Sequence, residues 1–168
     1  VQAGGMSSRM GCDKARMLFC GEPLIERVLG RLAQVAGELV VTTSRPSELV
    51  YLEERSFGGL TPRVAMDLDG PAGAMRGIAS SLGAARLPLV AIVACDMPFV
   101  SPGLIGALAD RVKEAPLDVC VPREKRGIEP LCAVWRRYAC APVACELLAC
   151  DRQRIRCLID RVHAGYLD

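Results

Sequence analysis

The segment Leu89-Val90-Ala91-Ile92-Val93-Ala94-Cys95 constrains this chain more than any other. A continuous apolar run bounded by turn signals reads as a strand buried on both faces. Strands of that kind lie at the centre of parallel sheets covered by helices on both sides. The rest of the sequence alternates short apolar runs with longer helical patterns. Leu24 to Val35 places Leu24, Ile25, Val28, Leu29 and Leu32 on one helical face. Glu38 to Thr43 reads as a strand, and Arg63 to Asp67 as a shorter one. Gly77 to Ala85 is helical and ends before Leu87-Pro88. A helix from Pro102 to Glu114 follows, with Ser101 as its N-cap and proline at the first position. Asp118 to Val121 and Leu131 to Trp135 are further strands, and Ala141 to Ala149 and Arg152 to Asp160 further helices. The pattern predicts a single three-layer α/β/α domain with a mostly parallel sheet over residues 1–168.

Bulk properties narrow the function classes. A chain of 168 residues, 51% apolar and 24% charged, is a globular protein with room for a substantial core. The net charge of +2 comes from scattered basic residues, which argues against a nucleic-acid partner. No apolar run approaches the ~20 residues of a membrane span, and no signal peptide is visible. With the chain opening straight into a glycine-rich loop, no membrane partner and a cytoplasmic location are expected. The nine cysteines form no C-x-x-C pair and the only histidine is His163, which argues against a zinc site. Several, such as Cys95 and Cys120, sit inside apolar stretches as small buried hydrophobes. Their odd number also argues against a disulfide framework.

The chemistry concentrates in Ala3-Gly4-Gly5-Met6-Ser7-Ser8-Arg9-Met10-Gly11-Cys12-Asp13-Lys14. Adjacent glycines let backbone amides approach a ligand with no Cβ in the way. Ser7 and Ser8 add hydroxyl donors, and Arg9 and Lys14 bring two cations to the same loop. Donors and positive charge without bulk suit a di- or triphosphate. A plain glycine-rich turn is the alternative, and the basic pair ahead of an apolar helix weighs against it. The dinucleotide fingerprint G-x-G-x-x-G and the P-loop G-x-x-x-x-G-K-[ST] are both excluded by the glycine spacing.

Asp96 directly follows the most buried strand. In open α/β sheets, ligands collect at the carboxyl ends of strands, so a carboxylate there is placed to hold a divalent ion. A turn-capping aspartate is the alternative. Asp67 ends its strand in the same way, with Asp69 two residues on as an equally plausible loop acid.

The loop resembles the signature of the MobA-like nucleotidyltransferases, molybdenum cofactor guanylyltransferases in particular. The resemblance continues at Phe19-Cys20-Gly21-Glu22-Pro23-Leu24-Ile25, the family's F-x-G-x-P-L-I. It returns at Gly73-Ala74-Met75-Arg76-Gly77-Ile78, Cys95-Asp96-Met97-Pro98-Phe99 and Glu129-Pro130-Leu131-Cys132-Ala133, in the family's order. It implies a Rossmann-like fold of the nucleotide-diphospho-sugar transferase type. It further implies that Ala3, Gly4, Gly5, Ser7, Ser8, Arg9 and Lys14 grip an NTP, and that Arg9 and Lys14 neutralise charge on the transferred group. Asp96 becomes the ligand of Mg²⁺, and Asp67 lies near the base or ribose. Gly73 keeps its close backbone approach, although Ala74 and Met75 replace the Pro and Leu of the family's G-P-L-x-G-I. Where guanylyltransferases commonly carry Asn after the second strand, Thr42, Thr43 and Ser44 stand here; Thr43 is the expected nucleotide contact.

The implied substrates are GTP and molybdopterin cofactor, with transient contact to molybdoenzymes or cofactor-insertion proteins. The acceptor's phosphate oxygen attacks the α-phosphorus, and pyrophosphate leaves. Lacking a recognisable activated Ser or Cys, the chain is not expected to use covalent catalysis. Arg123, Lys125, Arg126, Arg136 and Arg137, with Trp135, would border the acceptor pocket or form a solvated face. Cytidylyl transfer, transfer to another phosphorylated acceptor, and a non-catalytic nucleotide-binding module are the competing functions; the Asp13-Lys14 ending favours the guanylyl branch. Only Val1-Gln2 precede the loop where the first strand belongs, and nothing after Asp160 resembles the family's closing Asn-x-Asn-Thr-Pro-x-Asp segment. The chain is therefore expected to be trimmed at both termini.

Overall fold

The computed structural model describes residues 1–3, 14–125 and 127–168. A short hairpin pairs β1 (Leu18–Phe19) with β2 (Glu22–Pro23), and α1 (Leu24–Leu32) follows directly. Its turn has positive φ at both central residues, Cys20 (52°) and Gly21 (81°), the pattern of a two-residue I′ turn that favours glycine. Next come β3 (Val40–Thr43), β4 (Arg63–Met66), α2 (Ala74–Ala84), β5 (Leu89–Val93) and α3 (Pro102–Glu114). The second half contains β6 (Val119–Glu124), β7 (Gly127–Ile128), β8 (Cys132–Arg136), α4 (Arg137–Ala149), α5 (Ile155–Ile159) and β9 (Ala164–Leu167).

Residues Val1–Ala3 join the two halves of the sheet. Gln2 bridges in parallel to Thr42 of β3 and to Ala94 just beyond β5. Its N–H donates to the Val93 carbonyl (2.9 Å), and the Ala3 N–H donates to Thr42 (2.8 Å). Strand order is therefore β4–β3–(1–3)–β5–β8–β6–β9, with β7 folded back on β6. Only β8 runs against its neighbours in that order, so the fold is the expected α/β type with a mostly parallel sheet.

Alternation along the strands divides the core into two layers. Val93, Cys120, Cys132 and Val134 face α1 and α3; Ile92, Val119, Val121, Ala133 and Trp135 face α2, α4 and α5. The α1 residues chosen by helical spacing, Leu24, Ile25, Val28, Leu29 and Leu32, are all buried. Ser101 caps α3 as expected, its Oγ accepting the Leu104 N–H at 3.2 Å. Among the described residues no helix is long and apolar enough to cross a membrane.

Some boundaries differ from the sequence pattern. Helix α2 starts at Ala74, three residues early, because Gly73 leaves the loop in an extended conformation and the turn Gly73–Gly77 already closes (3.3 Å). Helix α4 starts at Arg137 and takes Pro142 into its interior, a position where proline forfeits one backbone hydrogen bond. Tertiary contact outweighs that cost, since Cys140, Ala144, Leu147 and Leu148 are buried against the sheet. Helix α5 is confined to Ile155–Ile159, after a turn with Asp151 at φ 54°.

Candidate functional site

Because residues 1–3, β3, β4 and β5 are parallel, their carboxyl ends open on one edge of the sheet. That edge collects Ala3, Thr43, Asp67 and Asp96 from four adjacent strands, with Gly73 at the start of α2. Asp67 is locked to β3 by its N–H, which donates to the Thr43 carbonyl at 2.9 Å. Asp96 lies in the turn after Cys95, whose N–H donates to the Gln2 carbonyl at 3.0 Å. Gly4, Gly5, Ser7, Ser8 and Arg9 lie outside the described residues, and Ala3 and Lys14 flank them.

Lys14 reaches the strand-end edge from the other side of that loop. Its Nζ donates to Asp96 Oδ2 at 3.2 Å, with both side chains partly open to solvent. The pair sets a cation and a carboxylate side by side at the strand-end edge. Asp96 is a suitable magnesium ligand: Mg²⁺ takes one or two carboxylates and fills its octahedron with water and substrate phosphate oxygens. Among the described residues no cluster of three or more acidic, His or Cys side chains offers an all-protein cage. A site completed by the substrate fits that donor set.

The other predicted contacts are less open. The Ala3 N–H is committed to the sheet. Thr43 is buried, and its Oγ1 accepts the Arg45 N–H at 3.1 Å; Thr42 pairs with Ser81 at 3.1 Å below the surface. Ser44 is the exposed hydroxyl of that segment. A Cβ at Gly73 would stand 3.0 Å from Gln153 Oε1, the tip of a flexible side chain. The Asp67 side chain is only 4% exposed. Burial raises its pKa above the ordinary 3.8, opposed by the Arg76 charge and the Ser80 hydroxyl. Arg76 and Gln153 were not singled out by sequence reasoning, and both stand beside predicted site residues. Position 76 is the variable one of the family's glycine motif, and Gln153 comes from the far side of α4, so neither carried a local signal.

Of the cationic stretch around Trp135, the residues that flank the tryptophan are turned into the fold, whereas Arg123 and Lys125 line a surface cavity with Glu124 and Asp168. Trp135 is fully buried among the helices of the α2/α4 layer, so it contacts no acceptor. The sequence pattern alone did not reveal which face of β8 it occupies. Arg136 donates to Val112 (2.7 Å) and Leu117 (3.1 Å) at the end of α3, and Arg137 to Leu82 (3.1 Å) near the end of α2. The Val112 and Leu82 carbonyls lie in the last turns of α3 and α2, where a helix leaves its carbonyls unpaired, and Leu117 follows the turn after α3. Arg123 forms a two-pronged pair with Asp168 (2.7 and 3.0 Å), while Arg126 lies outside the described residues. Cys95 and Cys120 are buried as anticipated, and so are Cys132 and Cys140. Burial and the nearby Asp118 push the Cys140 thiol up to about 12, which keeps it protonated and unreactive.

Comparison with known proteins shows the family of the chain. The family model described as the MobA-like NTP transferase domain matches residues 1–165. A probable molybdenum cofactor guanylyltransferase of Natronomonas pharaonis is 36% identical over 159 residues, covering 92% of this chain and 75% of that protein. A probable molybdenum cofactor guanylyltransferase of Chloroflexus aggregans is 30% identical over 168 residues, covering 97% and 76%. Among solved structures, molybdopterin-guanine dinucleotide biosynthesis protein A from Archaeoglobus fulgidus superposes with a TM-score of 0.81 at 25% identity, covering 99% of this chain and 80% of that one.

Proposed function

Since the chain belongs to the MobA-like NTP transferase family and is a nucleotidyltransferase, we propose that it transfers GMP from GTP to molybdopterin cofactor. The observation that carries this reading is the 3.2 Å approach of Lys14 Nζ to Asp96 Oδ2. It brings the end of the glycine-rich loop against the strand-end carboxylate. Names of the relatives in two organisms support the choice of guanylyl transfer and of acceptor.

In this reading the acceptor's phosphate oxygen forms a bond to the α-phosphorus of GTP, and the bond to the bridging oxygen breaks. Pyrophosphate leaves with that electron pair. Asp96 would hold Mg²⁺, which supplies charge neutralisation on the phosphates when bound. Lys14 leaves Asp96 for the phosphate oxygens as the nucleotide arrives, and Arg9 contributes the second cation. Their contribution is placement and electrostatic stabilisation of charge that grows in the transition state. No side chain has to form a covalent intermediate. The reaction belongs in the cytoplasm, with product passing by transient contact to cofactor-insertion proteins or molybdoenzymes.

Titration with GTP, CTP and ATP in Mg²⁺, followed by pyrophosphate release with molybdopterin cofactor, tests the proposal. GTP-dependent release is expected. Release with CTP alone would replace the guanylyl assignment, and tight nucleotide binding with no release from any NTP would refute the catalytic one.

A further inference from the structure

Asp67 and Arg76 form a pair that the protein leaves half satisfied. The carboxylate is almost wholly enclosed, yet Oδ1 has no hydrogen-bond partner among the described residues. A buried polar atom in that state carries a desolvation cost with nothing to offset it. Arg76 lies in the first turn of α2, its side chain 18% exposed, with Nη2 at 3.8 Å from Asp67 Oδ2. That distance is an ion pair and not a hydrogen bond. Its Nη1 donates to the Gly70 carbonyl at 3.3 Å. Ser80 fastens the two elements together, accepting the Leu68 N–H at 2.9 Å and donating to the Arg76 carbonyl at 2.7 Å. Its single proton can serve Asp67 only by giving up Arg76.

A bidentate arginine–carboxylate pair closes to hydrogen-bonding distance and uses both carboxylate oxygens. Here the geometry stops short, at the sheet edge that also carries Gly73 and Asp96. The missing partner for Oδ1 is a donor, and a guanidinium with five N–H groups has donors to offer an acceptor. A nucleoside presents both, in its ribose hydroxyls or in the N–H groups and carbonyl of its base. A bare polyphosphate presents acceptors only.

We infer that Arg76 is the positioning residue for Asp67, holding its carboxylate aimed at the nucleoside half of the bound NTP. The inference rests on the nucleotidyltransferase reading above, and it assigns a role to a position where the family's motif is variable. Arg76 acts through Asp67, so its loss weakens nucleoside recognition and leaves polyphosphate binding alone.

The experiment compares GTP with inorganic tripolyphosphate, both with Mg²⁺, on the full chain and on Arg76→Met, Asp67→Asn and the double variant. Arg76→Met is expected to raise the GTP dissociation constant about tenfold and leave that of tripolyphosphate unchanged. Asp67→Asn should give a similar loss, and the double variant no more than either alone, because the two residues act as one unit. Arg76→Lys should recover part of the loss. Equal weakening of GTP and tripolyphosphate, additive losses, or an unchanged GTP affinity overturns the inference. Should Arg76→Met fail to fold, Arg76→Lys is compared in the wild-type and Asp67→Asn backgrounds: a cost confined to the first supports the inference, and an equal cost in both overturns it. A wild-type chain that binds neither ligand overturns the nucleotide reading itself, a result distinct from the others.

Discussion

Lys14 and Asp96 lie 82 residues apart in the chain and meet at 3.2 Å across the carboxyl ends of the central strands. Neither is held by burial: their side chains are 38% and 47% exposed. An exposed pair of this kind adds only about 0–1 kcal/mol to stability. The pair's contribution to folding is therefore small, and the role proposed for it is in ligand binding. In the proposed reaction each partner exchanges the other for a ligand of opposite charge to itself, a phosphate for the lysine and a divalent cation for the carboxylate.

Lys14→Ala should lower turnover by about two to three orders of magnitude while shifting stability by less than about 1 kcal/mol. Pyrophosphate release and thermal unfolding of the same preparation check both halves. Near-normal turnover would remove Lys14 from the catalytic set.

Asp96→Asn retains the side-chain shape and removes the charge. The Mg²⁺ concentration for half-maximal turnover should rise about tenfold or more, and chelation of the metal should stop the wild-type reaction reversibly. A metal titration that superposes on wild type would place the ion elsewhere.

Arg136 is bonded to the carbonyls of Val112 and Leu117. Arg136→Ala should cost about 1–3 kcal/mol in urea unfolding, the range for charged hydrogen bonds and the buried carbonyls they satisfy. The KM for the acceptor should stay at its wild-type value. A selective rise in that KM, with stability intact, would restore the cation to the acceptor pocket.

Burial disfavours the charge on Glu38, but the Arg86 amide, the Arg63 hydrogen bond and the two arginine charges outweigh it and hold the pKa below the ordinary 4.5. A carboxylate with a depressed folded-state pKa contributes stability above its unfolded value. That contribution disappears as the pH falls through the folded value. Wild-type stability should therefore drop on acidification below about pH 5, and Glu38→Gln should flatten that part of the profile. Urea midpoints measured across the acid range, with parallel curves for the two proteins as the contrary outcome, decide it.

At Gly77 a Cβ would come within 2.5 Å of Gln2 Oε1 and 2.6 Å of its Cδ. Gln2 is itself buried between β3 and β5, so its amide has little room to retreat. Gly77→Ala should destabilise the protein by about 1–3 kcal/mol through overpacking. Shortening Gln2 to Ala should recover most of the loss, as unfolding of the double variant would show.

Much of this architecture was legible because its signals are local. The apolar run ending at Cys95, the spaced face of α1 and the Ser101-Pro102 cap each specify an element within a few residues. The two-residue strands β1, β2 and β7 carry no such period. Strand β9, Ala-Gly-Tyr-Leu with every residue half-buried, exists because β6 offers it a parallel edge. The site shows the same division. Asp67 and Asp96 were legible as acids following strands, whereas the Arg76 ion pair and the Gln153 approach to Gly73 depend on how α2 and the α4–α5 loop meet that edge.

The sequence by itself determined the α/β class and the placement of two acids at strand ends, since these follow from periodicity and residue type. Only the tertiary structure decided which side chains those elements turn inward. Trp135 and Arg136 are adjacent, yet one fills the core and the other holds the end of α3. Strand alternation sends neighbours to opposite faces, and long-range pairing chooses which face is the core. The same long-range pairing brings Lys14 to Asp96.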